Sequence, residues 1–238
     1  MGDYLFKYRG QIPIILFLLI IPFILYNDYS QYTSSVIEKN KIVSFLISFL
    51  GIIIRIYTVG NTPGGTSGRN REKQIAKKLN TKGIYSISRN PLYFGNYLIW
   101  LGLSIYSLNT YYTILISIFF FIYYGEIVKT EEKYLLKKFG NKYLSWKNKT
   151  PRFFPSIFNY QKNEYSFSLK TVLKREYSSF LATIFSFFYI DILINFKINS
   201  NNIIDKNLCI IFLISVLVTL LLRNMKKNTT ILDQKGRT

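Results

Sequence analysis

The sequence predicts an all-α, polytopic membrane protein with about six transmembrane helices and with both termini on the cytoplasmic side. Of its 238 residues, 49 % are hydrophobic, and these residues are concentrated in uninterrupted blocks. Lysine and arginine cluster in alternate connecting segments rather than along the whole chain. Apolar blocks separated in this way by basic loops are typical of helices that cross a lipid bilayer.

Six apolar blocks are candidates for the transmembrane helices. Four are runs of 15 or 16 residues, and because a helix needs about 20 residues to cross the hydrocarbon core, they depend on flanking Tyr, Asn and Lys at the interface. The first block resembles a signal-peptide core, but no small-residue cleavage site follows, so we expect it to remain as an anchor. The blocks are residues 12–26, 42–57, 91–108, 111–125, 178–196 and 208–222.

The distribution of charge orients these blocks. The formal net charge is +19, part of which reflects a composition typical of an AT-biased genome. Residues 58–90 and 126–177 and the tail after Leu222 are basic, whereas residues 27–41 and 197–207 are nearly balanced. The positive-inside rule places the basic segments in the cytoplasm. Because they flank lipid-buried helices, we expect anionic headgroups, not nucleic acid, as their partner.

Two residue types that often carry chemistry are nearly absent. The chain has no histidine and a single cysteine, Cys209. A histidine-ligated metal, a histidine general base and an intrachain disulfide are therefore excluded, and we predict no metal site.

A glycine-rich stretch, VGNTPGGTSGRN, lies in the long loop 58–90. Its turn-rich backbone can bring N–H groups close to a phosphate, or it can serve as a flexible connector. It lacks the GKS/T ending of a nucleotide-binding P-loop, so that specific interpretation fails.

Two adjacent carboxylates, Glu131 and Glu132, follow the fourth block, where Lys or Arg would more commonly end a span. Neighbouring side chains on an α-helix point about 100° apart, so the two carboxylates face different partners. They are either a solvated helix face beside Lys129 and Lys133, or a site in which one holds a ligand ammonium group and the other a ribose or an arginine. Gly140 is expected to end this helix.

An Arg-Asn-Pro triplet, residues 89–91, opens the third block. Proline suits the first turn of a helix, and Asn90 and Tyr93 place hydrogen-bonding groups at the mouth of the block. Gly95 and Gly102 open one stripe of the helix to a ligand or to another helix. Helix packing alone explains the glycines, but their combination with the triplet and the later carboxylates indicates a binding site.

Taken in order, these residues resemble the isoprenylcysteine carboxyl methyltransferase and phospholipid methyltransferase superfamily. The resemblance covers about residues 80–155 and follows G-x-Y-x-x-x-R-N/H-P-x-Y-x-G, an apolar helix pair, E-E-x-x-L-x-x-x-F-G-x-x-Y and P-R-x-x-P. The matching positions are Gly83, Tyr85, Arg89, Asn90, Pro91, Tyr93, Gly95, Glu131, Glu132, Leu135, Phe139, Gly140, Tyr143, Pro151, Arg152 and Pro155.

The resemblance implies that S-adenosylmethionine binds at the cytoplasmic membrane face and that a lipid or lipid-linked acceptor enters from the bilayer. The P-R-x-x-P stretch would cover the cofactor. Many relatives carry histidine where this chain has Asn90, so a base role there is not expected. Similarity of loop 55–70 to bacterial members that methylate envelope lipids such as lipid A implies a bacterial inner membrane. By the same resemblance, Tyr85, Asn90, Pro91, Tyr93, Gly95, Glu131, Glu132 and Tyr143 would bind the cofactor, and Arg89, Arg152 and Tyr93 would act in catalysis.

The missing histidine also bears on the acceptor. An amine must lose a proton before methyl transfer, whereas a carboxylate or phosphate oxygen is already anionic at pH 7. Arginine can bind such an oxygen bidentately. We therefore expect O-methylation, with arginines near the predicted cytoplasmic boundary as candidate partners: Arg55, Arg69, Arg71, Arg89 and Arg152.

Two alternative functions remain open. One is an NADPH-dependent sterol or steroid reductase with a similar membrane fold, although its extended phosphate-binding pattern is not evident. The other is a non-catalytic lipid-binding or transport protein, in which Asp191 within a span would be a functional residue.

The chain is expected to divide near residue 160. Residues 1–160 would form the methyltransferase-like core with four helices, and residues 161–238 would supply a linker, a transmembrane hairpin and a basic tail. The hairpin is interpreted as an addition to the core, so that removal of the chain after residue 177 would leave the cofactor site intact. The oligomeric state is not predicted.

Overall fold

The computed structural model describes residues 2–65, 76–198 and 203–237, and all regular structure within them is helical apart from one isolated bridge between Gly83 and Gln161. Arg69, Arg71 and the second half of the glycine-rich stretch lie outside the described residues. The helices are α1 (Gly2–Lys7), α2 (Ile12–Leu18), α3 (Ile20–Leu25), α4 (Ser34–Asn61), α5 (Ile84–Ile87), α6 (Pro91–Tyr106), α7 (Thr110–Phe139), α8 (Asn141–Lys149), α9 (Leu169–Lys197) and α10 (Lys206–Asn228), with a 3₁₀ turn at Ile157–Asn159.

The prediction of an α-helical integral membrane protein is confirmed, whereas the number of spans is confirmed only in part. Among the described residues, four helices are long and apolar enough to cross a membrane, namely α4, α7, α9 and α10. The helix α6 has only 16 residues. The first block is broken between α2 and α3, because Pro22 has no N–H to donate to the carbonyl of Leu18. The count of six therefore stays a prediction.

The segment from α1 to the turn after α3 nevertheless runs the length of the bundle. At one end Phe6 packs with Tyr123 and Tyr124, and at the other the hydroxyl of Tyr29 donates to the carbonyl of Ser107 at 3.0 Å. The segment after α10 returns to the first of these ends, where Arg237 donates to the carbonyl of Gly60 at 2.8 Å. Both terminal segments thus lie at one end of the bundle, and which side of the membrane this end faces stays a prediction.

The turn and cap residues at the ends of α6 and α7 lie where the sequence predicts. The hairpin turns at Leu108, whose φ is +55°, and Asn109 caps α7 by accepting from the N–H of Tyr112 at 2.9 Å. The α7 helix continues beyond its apolar run and ends at Gly140, whose φ is +49°. The N–H of Gly140 donates to Leu136 at 2.9 Å, and α8 then turns away.

Helices α4 and α6 cross in close contact in the core. A Cβ at Gly51 would lie 2.5 Å from the carbonyl oxygen of Gly95, and a Cβ at Gly102 would lie 2.2 Å from Oγ of Ser48. The α6 glycines therefore allow the two backbones to approach one another. Gly95 faces α4, so helix packing explains this glycine, as one of the two interpretations from the sequence proposed.

At the end of the bundle away from α1, α9 is joined to the core by Asp191. Only 1 % of this residue is exposed, and its carboxylate accepts from Lys41 at 2.5 Å, Tyr106 at 2.7 Å and Asn195 at 2.8 Å. We call these four residues the Asp191 cluster. Because α4, α6 and α9 all contribute to it, Asp191 has a packing role, which accounts for the acid that motivated the transport alternative.

The α9 helix is packed into the core, while α10 lies outside it. Phe187, Ile190 and Ile194 of α9 belong to the same buried cluster as residues of α3, α6 and α7. The α10 helix packs on α9, for example through Phe188 and Phe212, whose rings stack at 5.0 Å. The interpretation of the whole hairpin as an addition did not anticipate this packing of α9, and the domain division at residue 160 stays a prediction.

Candidate functional site

A cavity of about 510 Å³ opens at the end of the bundle that holds α1. This volume lies within the range of about 300–1,000 Å³ that small-molecule sites occupy. Its walls come from α1, α4, α6, α7, α8 and α9 and from residues 76–85. The cavity therefore lies where long helices leave their apolar runs.

Glu131 places a carboxylate on the cavity wall. It lies on α7 opposite the first turn of α6, because the two helices are antiparallel and joined by a short turn. The hydroxyl of Tyr93 donates to Oε1 of Glu131 at 2.9 Å, and Nη1 of Arg9 lies 3.5 Å from the same oxygen. Tyr93 thus fixes the orientation of the carboxylate.

Glu132 faces a different set of partners from Glu131, as expected for neighbours on a helix. Its Oε1 lies 3.0 Å from Nη2 of Arg89, and its Oε2 lies 3.5 Å from Nη2 of Arg152 and 3.9 Å from Nζ of Lys147. Glu132 therefore binds arginines of the protein itself and joins α7 to the segments before α6 and after α8.

The Arg-Asn-Pro turn is joined to the P-R-x-x-P stretch, about 60 residues further along the chain. The backbone N–H of Arg89 donates to Pro151 at 2.9 Å, and its Nη1 donates to the carbonyl of Lys147 at 3.0 Å. The side-chain amide of Asn90 donates to the carbonyl of Arg152 at 3.0 Å. The amide of Asn90 therefore serves as a backbone clamp, while Arg89, Asn90 and Pro91 line the cavity.

Tyr85 and Trp146 add aromatic surface to the cavity wall, and Nε1 of Trp146 donates to the carbonyl of Tyr85 at 2.8 Å. Burial raises the pKa of the Tyr85 phenol to about 12, so it stays protonated at neutral pH. Gly83, which precedes α5, has a φ of +61°, and a Cβ there would lie 1.5 Å from Oδ1 of Asn163. Glycine at this motif position thus allows residues 161–163 to pack behind Tyr85.

Tyr143 lies behind the cavity rather than on its wall. Only 1 % of the residue is exposed, and its ring packs 5.9 Å from that of Trp146. Burial raises the pKa of its phenol to about 12, with Glu132 as a further cause. The hydroxyl finds no hydrogen-bond partner in the described part of the chain.

Helix α9 supplies part of the wall that the sequence did not predict. Nη2 of Arg55 lies 2.7 Å from Oε2 of Glu176 and donates to Oγ of Ser179 at 3.0 Å, while Nη1 donates to Asn96. Arg175 also lines the cavity. The sequence indicated Arg55 as a candidate partner for an anionic acceptor. In the structure Arg55 is paired with Glu176, and its role toward an acceptor stays a prediction.

Helix α1 supplies a second unpredicted part of the wall, through Phe6 and Arg9. The guanidinium of Arg9 lies 4.1 Å from the ring centroid of Phe6 and reaches toward Glu131. For Arg9 and for Glu176, the only sequence signal was a charged side chain beside an apolar block, and many other residues share that signal. Neither Arg9 nor Glu176 falls within the motif that carried the resemblance.

The structure brings most of the sequence-predicted site together. Cavity-lining positions among them are Tyr85, Arg89, Asn90, Pro91, Tyr93 and Glu131. Of the remaining predicted residues, Gly95 lies at the α4 interface, Glu132 and Arg152 form an ion pair, and Tyr143 packs beside Trp146 behind the wall. Their individual roles in cofactor binding and catalysis stay predictions.

Comparison with known proteins identifies the same part of the chain. Residues 40–142 match the sequence profile of the phospholipid methyltransferase family. Among curated proteins, a protein-S-isoprenylcysteine O-methyltransferase of Schizosaccharomyces pombe is 28 % identical over 139 residues, 52 % of this chain and 59 % of the relative. Protein-S-isoprenylcysteine O-methyltransferase B of Arabidopsis thaliana is 32 % identical over 34 % of this chain and 41 % of its own.

A third relative carries a different name. The cobalt-zinc-cadmium resistance protein CzcN of Cupriavidus metallidurans is 30 % identical over 50 % of this chain and 54 % of its own. No solved structure matches the chain. The chain spans between about a third and three fifths of the length of the curated relatives it matches. Residues 40–142, which include most of α4 and all of α6 and α7, are thus similar to the phospholipid methyltransferase family, and the isoprenylcysteine O-methyltransferases are similar to about half of the chain or less.

Proposed function

We propose that the chain is an S-adenosylmethionine-dependent methyltransferase that modifies a membrane lipid or a lipid-linked group. The observation that carries this proposal is Glu131, a carboxylate oriented by Tyr93 on the wall of a cavity that the family-matching helices form. We further propose that this end of the bundle faces the cytoplasm of a bacterial inner membrane, because the basic connecting segments lie at this end.

The cavity residues fit the charge and shape of the cofactor. S-adenosylmethionine carries an ammonium group, a sulfonium centre and a flat adenine ring. Glu131 would hold the ammonium group or a ribose hydroxyl, since a carboxylate accepts strong charge-assisted hydrogen bonds. Tyr85, Tyr93 and Trp146 offer aromatic faces, which attract cations and stack on flat rings. The cavity volume of about 510 Å³ suits a ligand of this size.

The protein's contribution to catalysis is to orient the reactants and to exclude water. When bound, the cofactor supplies an activated methyl group for in-line transfer to a nucleophilic oxygen. The ion pairs of Glu132 with Arg89 and Arg152 hold the Arg-Asn-Pro turn in place beside Glu131. Positioning of this kind can supply a large part of a rate enhancement without a general base. The absence of histidine is compatible with such a mechanism.

The charge of the cavity supports an anionic acceptor. Among the described residues, five basic side chains and two carboxylates line the wall. Positive charge stays in excess when Glu132 and Glu164, the partners of Arg89 and Lys78, are also counted. An excess of this sign attracts a carboxylate or a phosphate, and arginine binds either one bidentately. O-methylation is also the reaction for which the isoprenylcysteine relatives are named. The basic residues are Arg9, Arg55, Lys78, Arg89 and Arg175, and the carboxylates are Glu131 and Glu176.

Two experiments test the proposal: cofactor binding by the purified protein, and methyl labelling of lipids in native membranes. Calorimetry should show binding of S-adenosylmethionine and no comparable binding of NADPH. Native membranes incubated with methyl-labelled cofactor should yield a labelled lipid or lipid-linked species whose mass identifies a methyl ester. Equal affinity for NADPH would instead favour the reductase, and absence of both binding and labelling would favour a non-catalytic protein.

A further inference from the structure

Residues 153–160, which link α8 to α9, expose an unusual amount of apolar surface. Phe154 is 62 % exposed, Ile157 71 %, Phe158 94 % and Tyr160 51 %. Exposed apolar residues on the long helices are explained by lipid contact along a span, but this segment belongs to none of the four candidate spans. Four exposed apolar side chains so close together in the chain, outside the spans, indicate a partner of their own.

The backbone of this segment is held firmly while its side chains point outward. The N–H of Ser156 donates to the carbonyl of Ile87 at 2.9 Å, and the side chain of Asn159 donates to the carbonyl of Lys149 at 2.8 Å. The hydroxyls of Tyr160 and Tyr57 are 3.2 Å apart. The fold thus fixes the segment to α4, α5 and α8 and leaves its apolar side chains on the outside.

Contacts of Phe154 place the segment at the depth of the hydrocarbon boundary. Its ring centroid lies 5.9 Å from that of Phe94 on α6 and 5.8 Å from that of Phe121 on α7. Phe121 precedes Gly125, the last residue of the uncharged run of α7, by four residues. At 1.5 Å per residue, Phe121 lies about 6 Å inside that run. Phe154 is therefore level with helix surface that faces lipid tails.

The charged neighbours of the segment fit the headgroup layer. Lys147, Lys149, Arg152 and Lys162 flank it in the chain, and no acidic residue lies between positions 133 and 163. Aromatic residues beside basic residues are the composition that membrane interfaces favour, because rings lie at headgroup depth and cations meet lipid phosphates. A soluble protein partner would not explain why the patch lies level with Phe121.

We propose that residues 153–160 form an aromatic wedge that inserts into the lipid leaflet beside the cavity. The partner is the bilayer itself, at the boundary between headgroups and hydrocarbon. Arg152 directly precedes the wedge, and its carbonyl accepts from Asn90. Phe153 is the first residue of the wedge, and its carbonyl accepts from Ser88 at 2.9 Å. Insertion of the wedge thereby holds the P-R-x-x-P stretch, which packs on the Arg-Asn-Pro turn, at the membrane surface. This inference does not depend on the reaction that the cavity supports.

Depth-dependent fluorescence tests the wedge directly. In a Cys209→Ser background, Phe158→Cys is labelled with an environment-sensitive dye, and the full-length protein is reconstituted in vesicles that contain nitroxide-labelled phospholipid. The matched control is Lys138→Cys, an exposed position on α7 that lies twelve residues beyond Glu126. The dye at position 158 should emit at shorter wavelength than the dye at position 138 and should be quenched severalfold more strongly.

Two outcomes would overturn the proposal. Equal quenching at positions 158 and 138 would place the segment in water. A blue-shifted dye that the labelled lipid does not quench would show burial against protein, such as a second copy of the chain. Ile157→Cys is the second probe, since its side chain is also largely exposed and the 3₁₀ turn does not use it for a hydrogen bond to another segment.

Discussion

The two ends of the helix bundle both contain buried charge, but they use it differently. At one end the Asp191 cluster joins α4, α6 and α9, and every oxygen of the carboxylate has a partner from the protein. At the other end Glu131 and the Arg55–Glu176 ion pair line a cavity of about 510 Å³. A charge that packs helices together and a charge that faces open volume have different roles.

This difference shows that a buried acid within a span is not by itself evidence of a functional site. Intramembrane carboxylates are costly, which is why Asp191 suggested transport when only the sequence was considered. In the structure its three partners account for it fully. Glu131 lies among fewer fixed partners and beside free volume, so the neighbouring cavity, not the burial of the charge, distinguishes the candidate site.

The largest effect should come from breaking the Asp191 cluster. The change Asp191→Ala leaves the Lys41 ammonium without its carboxylate in a largely buried position, and loss of one partner of a buried ion pair costs about 3–5 kcal/mol. Thermal unfolding in detergent should show a large drop in midpoint, while any surviving folded protein should bind S-adenosylmethionine with unchanged affinity. Weaker binding by folded protein would contradict the separation of the two ends.

A smaller effect, confined to binding, is expected from Glu131→Gln. Loss of one charge-assisted hydrogen bond costs about 1.5–3 kcal/mol, which corresponds to an affinity reduced by about tenfold or more. Calorimetry with S-adenosylmethionine measures the change, and thermal unfolding without cofactor should be nearly unaltered.

The matched control for this prediction is Glu126→Gln. Glu126 lies on the same helix but pairs on the surface with Lys129, at 2.5 Å, so its loss should leave cofactor affinity unchanged. If Glu126→Gln and Glu131→Gln weakened binding equally, the effect would be one of overall charge and Glu131 would not contact the cofactor.

Local signals in the sequence predicted the elements of the fold better than the walls of the site. Gly140 and the turn at Leu108 and Asn109 could be predicted because a glycine cap and a polar break act within a few residues of themselves. The motif also predicted that residues 89–93 and Glu131 lie together. By contrast, Arg55 and Glu176 are 121 positions apart, and the side chains that surround them carry no shared pattern.

The adjacent carboxylates Glu131 and Glu132 also show where prediction from the sequence ends. Helix geometry predicts that Glu131 and Glu132 face different partners, but it cannot say which one faces the cavity. That choice depends on how α7 is rotated against α6, and the rotation is set by the packing of Tyr97 and Trp100 on Phe120. Pro22 limited the prediction of six spans. The sequence shows that a proline interrupts the first block, but it does not show whether the broken helix still crosses the membrane.

The smallest expected effect compares single hydrogen bonds at the two ends. Asn195→Ala removes a donor to Asp191 where the carboxylate is sealed from solvent, so the loss should cost about 0.5–1.5 kcal/mol of stability. Ser179→Ala removes an acceptor from Arg55 beside the cavity, where water can take the vacated place, and should cost less. Paired thermal unfolding curves measure both, with Ser186→Ala on the exposed face of α9 as the control. A Ser179→Ala protein less stable than Asn195→Ala would mean that the cavity end is packed as tightly as the Asp191 cluster, and the contrast between the two ends would then fail.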